Sequence, residues 1–191
     1  MAAPGHALTL IWVLWLASWI AAALWADPAA SRPNRGDELL YRLTTVVGAA
    51  LLSFGDRVFP GGLLWRLDRA AAWGLIAIVV LALAFTWWAR LYLGRLWSSS
   101  VTKKAHHRVV DTGPYAIVRH PIYTGLIAAI AATAIFKGDL AGLAGAVLMT
   151  FGFWLKAKLE ERFLREQLGA DAYDAYRRRV PMLLPFGPRA G

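Results

Sequence analysis

Apolar residues in this chain fall into long blocks separated by polar, charged stretches. The first block is Leu8–Ala26. It is close to the ~20 residues that cross a bilayer as a helix, and no Lys or Arg precedes it as in a cleavable signal peptide. Trp12, Trp15 and Trp19 recur at helical spacing and share one face, which reads as a packing or lipid-facing stripe. Asp27–Glu38, with Pro28 and Pro33, reads as a loop. The second block, Leu39–Phe54, is short and would need Arg42 to snorkel. Asp56–Arg69 holds the turn signal Pro60-Gly61-Gly62, and its Leu63, Leu64, Trp65 and Leu67 suit a membrane interface. The third block, Ala70–Leu93, is the clearest span, with Trp87, Trp88 and Tyr92 as an aromatic belt near its end.

Two shorter blocks follow, Ile122–Phe136 and Leu140–Leu155, split only by Lys137-Gly138-Asp139. So short a connection predicts an antiparallel helical hairpin. Gly125, Ala128, Ala129 and Ala132 would face Gly142, Gly145 and Gly152, because small residues let membrane helices approach closely. The pattern then continues with charges from Lys156 to a stop near Gly169, and Asp171–Arg179 reads as a short amphipathic helix ended by Pro181. The fold expected is all-α: a single integral membrane domain, residues 1–191, with five transmembrane helices (8–26, 39–54, 70–93, 122–136, 140–155) and a cytoplasmic C-terminal segment, 156–187.

Composition sharpens this. The chain is 58% hydrophobic and 17% charged, which excludes a soluble globular domain or a disordered tail. It has no Cys, so thiol catalysis, thiolate metal sites and disulfides are excluded. The net charge of +9 lies between apolar blocks rather than on one soluble face, favouring membrane surface over nucleic acid. Five spans put 17 of the 21 Lys and Arg on one side and 4 on the other. The positive-inside rule then places the N-terminus outside and the C-terminus in the cytoplasm. Sixteen Arg against five Lys, with abundant Ala, suggest a bacterium of high genomic G+C and hence an inner-membrane location.

Polar chemistry concentrates at the cytoplasmic side. Arg119-His120-Pro121 stands at the threshold of an apolar helix, where backbone N–H groups can receive a carboxylate or phosphate. The alternative is that Arg119 anchors lipid phosphates and His120 caps the helix. Glu161 and Arg165 stand four apart, as in an ordinary helix-surface pair. His106 and His107 lack a third ligand at metal spacing, so no metal is expected. Arg177, Arg178 and Arg179 suit anionic lipid headgroups, or one of them could point inward. No dinucleotide or Walker motif is present.

Gly113-Pro114-Tyr115, then Val118-Arg119-His120-Pro121-Ile122-Tyr123-Thr124-Gly125, resembles the isoprenylcysteine carboxyl methyltransferase family and its phospholipid methyltransferase relatives. Glu160-Glu161, Leu164, Leu168-Gly169, Tyr173, Tyr176, Arg178, Val180-Pro181 and Pro185-Phe186 are similar to the family's C-terminal signature in order and spacing. Leu93-Gly94-Arg95-Leu96-Trp97-Ser98 resembles bacterial members. The likeness covers residues 90 to 187.

It implies a membrane enzyme using S-adenosylmethionine in a pocket at the cytoplasmic ends of the last helices, under the C-terminal segment. The acceptor would be lipophilic, a prenylated group or small molecule, entering from the bilayer. Tyr115, His120, Pro121, Tyr123 and Gly125 match the family's cofactor-binding motif, and Glu161 matches the second of its paired acids. Arg119, Glu161 and Arg178 are the candidates for catalysis, the two arginines as charges facing the acceptor. A phospholipid amine or a small thiol is an alternative acceptor. The rival classes are an NADPH-dependent membrane reductase and a non-enzymatic membrane protein.

Overall fold

The computed structural model describes residues 3–23, 35–94 and 110–188. These form seven helices: α1 (Pro4–Ala23), α2 (Arg35–Val58), α3 (Arg69–Leu93), α4 (Pro114–Ile117), α5 (Pro121–Lys137), α6 (Leu140–Leu168) and α7 (Ala170–Arg179). His106, His107, the Arg95–Ser98 part of the bacterial-type motif and most of the Pro28/Pro33 loop lie outside the described residues.

Among the described residues, a helix stands at each of the five apolar blocks. By length and hydropathy, α1, α3 and residues Leu140–Glu166 of α6 can cross a membrane, while α5 is a shorter apolar helix of 17 residues. Helix α2 runs several residues beyond its apolar block at both ends, taking in Glu38, Asp56 and Arg57. Those charges keep it out of the purely apolar class, so length and composition do not by themselves establish five spans. Helix α6 continues without a break from its apolar turns into its charged ones and stops where Gly169 adopts φ +86°.

Capping sets the helix starts. Asp68 accepts a hydrogen bond from the Ala71 N–H at 2.8 Å, and Asp139 accepts one from Gly142 at 2.7 Å. Pro121 at the first turn of α5 fixes φ where no N–H bond is needed.

The tryptophan stripe of α1 is a packing stripe. Trp12 Nε1 donates to Thr133 Oγ1 and Trp15 Nε1 to Thr86 Oγ1, both at 3.0 Å, and Trp19 stacks on Trp15. These bonds satisfy indole donors that lipid could not.

The small-residue expectation needs correcting. Gly142 lies against its own cap, Asp139, and the other glycines of α6 meet α2 rather than α5. A Cβ on Gly145 would stand 2.5 Å from the Gly48 carbonyl oxygen, and one on Gly152 would stand 2.5 Å from Thr45 Oγ1. Gly125 of α5 instead faces α3, where a Cβ would meet Ala82 O at 2.7 Å. The close seams are therefore α2 with α6 and α3 with α5. A three-residue connection makes α5 and α6 neighbours, but it does not choose the face each presents.

At one end of the bundle, Gly138 sits in the left-handed region (φ +66°) against Trp65, and Leu64 N–H donates to its carbonyl at 2.7 Å. At the other end lie α4, the start of α5, the charged turns of α6, and α7.

Candidate active site

The start of α5 is built as an extended turn closed by the C-terminal segment. Val118–His120 is non-helical, as expected before Pro121. Arg119 N–H donates to Pro181 O at 2.9 Å, and His120 N–H donates to Met182 O at 3.1 Å. Thr124 Oγ1 donates to Leu183 O at 2.6 Å. Residues 180–183 thus form a strap along the entry to α5. The backbone amides of Arg119 and His120 are thus occupied by strap carbonyls.

Around the strap lies a buried ionic cluster. Arg119 Nε donates to Glu161 Oε1 at 2.6 Å, with side chains only 4% and 8% exposed. Its Nη1 donates to the carbonyls of Arg177 (3.1 Å) and Val180. Arg119 is thereby a staple joining α6, α7 and the strap. Arg177 Nε lies 3.3 Å from Glu161 Oε2 and its Nη1 3.2 Å from Asp174. Of the consecutive arginines, Arg177 is the one that turns inward. Arg178 is exposed, so the structure does not bring it to the cluster, and Arg179 reaches Asp111 at 3.0 Å. Arg165 pairs with Asp174 at 2.9 Å rather than with Glu161, which corrects the surface-pair reading of Glu161.

His120 stands between the two acids, Nδ1 3.5 Å from Glu160 Oε2 and Nε2 3.4 Å from Glu161 Oε1. Burial opposes its charge, but hydrogen bonding and charge from Glu160 and Glu161 outweigh it and raise its pKa above the ordinary value. Its Nε2 is buried without a well-formed hydrogen bond among the described residues. The His120 ring stacks on Tyr123 at 5.5 Å, and Tyr123 stacks on Phe153 at 5.5 Å. Tyr123 Oη donates to Glu160 Oε1 at 2.5 Å.

Tyr115 is buried beneath α7, and Tyr176 Oη donates to its carbonyl at 2.7 Å. Burial pushes the hydroxyls of Tyr115, Tyr173 and Tyr176 well up, and Tyr115 donates to the Ala89 carbonyl at 3.4 Å. Pro121 and Gly125 are buried in the same wall, Gly125 as the close contact with α3.

The structure therefore gathers Tyr115, Arg119, His120, Pro121, Tyr123, Gly125 and Glu161. Sequence reasoning passed over Glu160 as a site residue. Glu161 meets Arg119, His120 and Arg177, whereas Glu160 meets His120 and the Tyr123 phenol and feels the charge of Lys156 one turn away. The signal was available in the sequence: successive helical residues point about 100° apart, so two adjacent acids serve different neighbours.

The donor set fits a cofactor carrying both cationic and anionic groups. An incompletely bonded buried His120 Nε2, a partly neutralised carboxylate and stacked aromatic faces stand together at one helix end. Among the described residues, no group of His, Asp and Glu has metal-site geometry.

A family model described as the isoprenylcysteine carboxyl methyltransferase (ICMT) family matches residues 75–166. Protein-S-isoprenylcysteine O-methyltransferase B of Arabidopsis thaliana is 32% identical over 87 residues, 45% of this chain and 44% of that protein. Protein-S-isoprenylcysteine O-methyltransferase of Schizosaccharomyces pombe is 34% identical over 104 residues, 52% of this chain and 43% of that protein. The chain thus spans less than half the length of the curated relatives it matches. The matched segment runs from mid-α3 to the charged turns of α6 and carries His120, Glu160 and Glu161; over it this chain is similar to the isoprenylcysteine carboxyl methyltransferase family.

Proposed function

We propose that the protein is a membrane methyltransferase that uses S-adenosylmethionine to methylate the carboxylate of an isoprenylcysteine-like acceptor. The observation that carries this reading is the His120–Glu160–Tyr123 group, with His120 buried, set beside the Glu161–Arg119 staple within the matched segment. When bound, the cofactor supplies an electrophilic methyl on a sulfonium. Glu160 offers negative charge to cationic groups, and the ring of Tyr123 offers a π-face. His120, whose charged form its two acids favour, offers Nε2–H to an anionic group. Glu161 and Arg119 fix the strap over this end of α5, so they position the site rather than face the acceptor. Positioning and exclusion of water would supply much of the rate.

The basic-residue asymmetry supports an N-terminus outside and this end in the cytoplasm. Exposed Arg178 then suits anionic headgroups, and the Arg- and Ala-rich composition supports a bacterial inner membrane.

The test is mass spectrometry of purified protein for co-purifying S-adenosylhomocysteine, followed by calorimetric titration with S-adenosylmethionine in detergent. Micromolar binding is expected. Binding of a nicotinamide cofactor instead would replace this reading with a reductase, and binding of neither would leave a non-enzymatic membrane protein.

A further inference from the structure

Between α2 and the charged turns of α6 lies a second polar group. Lys156 stands one helical turn before Glu160, at the i, i+4 spacing that puts both on one face. Its Nζ lies 5.4 Å from the Tyr123 ring centroid and 5.7 Å from that of Tyr41 in α2. Two aromatic faces and the charges of Glu160 and Glu38 act on its ammonium, with Arg42 opposing them. The residue is half-buried, so it can be reached. Glu38 is buried; Arg42 donates to its Oε2 at 2.6 Å, while Oε1 has no hydrogen-bond donor among the described residues. Tyr41 and Glu38 lie outside the matched residues 75–166.

We propose that Lys156, framed by Tyr41 and Tyr123, is the cation that seats the acceptor's carboxylate, with Glu38 of α2 holding the cation in place. The proposal rests on the methyltransferase reading and names its acceptor site. In carboxyl methylation a carboxylate oxygen takes the methyl, the C–S electron pair stays on sulfur, and no proton moves. The acceptor end of the site therefore needs a positive charge and no general base. Arg119 does not serve, because Glu161 and two backbone carbonyls hold it in the staple. Arg178 lies outside the cluster. Lys156 shares the Tyr123 ring with the His120–Glu160 group, which places it next to the proposed cofactor site. An ammonium on aromatic faces is stripped of part of its water, and that raises the value of one incoming anion. Helix α2, the least apolar of the long helices, then has a function: it supplies the far wall of the acceptor seat.

The full chain in lipid nanodiscs tests this, with labelled S-adenosylmethionine and an N-acylated S-farnesylcysteine, alongside the matching carboxamide as a competitor that cannot be charged. Lys156→Met should raise the acceptor KM at least tenfold, leave the cofactor Kd within twofold, and abolish the wild type's preference for carboxylate over carboxamide. Lys156→Arg should restore most of that preference. If Lys156→Met does not fold, as judged by helical circular dichroism, Lys156→Gln takes its place. An unchanged acceptor KM, or a cofactor Kd that weakens as much as the acceptor KM, overturns the assignment while leaving the methyltransferase reading intact. Wild-type protein that neither binds the cofactor nor methylates the acceptor overturns both.

Discussion

The two ends of the bundle use the same kinds of ion pair in different surroundings. At the Gly138 end, Lys137 pairs with Asp56 at 2.9 Å, and the aspartate is half exposed. At the site end, Arg119 pairs with Glu161 at 2.6 Å with both side chains almost wholly covered. Water screens the first pair, and little would be lost with it. The second has given up its hydration and depends on its partner and on the strap carbonyls. A buried pair is poor evidence of net stability, yet breaking it is expensive. Its value here is that it ties three separate pieces of chain, α6, α7 and the strap, to the start of α5.

The sharpest break in that comparison is Glu161→Ala. It should leave Arg119 buried and uncompensated, at a cost of about 3–5 kcal/mol, and release the strap. Thermal unfolding in detergent measures it. The double variant Arg119→Met/Glu161→Leu should recover much of that stability without recovering cofactor affinity. Glu160→Gln should do the reverse, weakening cofactor binding while shifting the melting temperature little. If Glu160→Gln unfolds the protein and Glu161→Ala does not, the roles given to the two acids are exchanged.

Next in size is the seam that carries α6. Gly145→Val places atoms into the Gly48 backbone and should cost about 1–3 kcal/mol. Gly74 in α3 has nothing within 4 Å of a Cβ, so Gly74→Ala should be neutral or stabilising by up to about 1 kcal/mol. The unfolding midpoint should fall for Gly145→Val and hold or rise for Gly74→Ala.

The pH response should separate the ends as well. The folded pKa of His120 is raised, so the stability from its charged form is complete below its unfolded value of about 6.5. That stability is lost as pH rises through the higher folded value. The melting temperature should therefore fall as pH rises above about 6.5, and His120→Gln should flatten that slope. The smallest effect belongs to the surface pair: Asp56→Ala should change stability by no more than about 0.5 kcal/mol.

Much of this was legible in the chain. Continuous apolar blocks marked α1, α3, α5 and the first half of α6, because a bilayer demands length and apolarity together. Pro121 and Gly169 marked real boundaries. The partners of small faces were not legible, since Gly48 and Gly145 meet only after the whole bundle has assembled. The inward-pointing arginine was not legible either: three consecutive basic residues carry no phase, and only the packing of α7 selects Arg177. Lys156 read as the start of the charged continuation of its helix and Glu38 as the end of a loop, whereas the fold brings Lys156 against Tyr41 of α2. The carbonyls that cover the start of α5 have no side-chain signature at all.

The brevity of α5 has a consequence for the lipid. Seventeen residues rising 1.5 Å each cover about 25 Å, against a hydrocarbon core about 30 Å thick. A lone helix could answer such a shortfall by shifting along its axis. This one is fastened at both ends, to the strap by Arg119 and Thr124 and to the Trp65 loop by Gly138. Where α5 crosses a bilayer of ordinary thickness, the membrane is expected to yield instead and thin around it. Such a dimple would bring the headgroup level down towards His120.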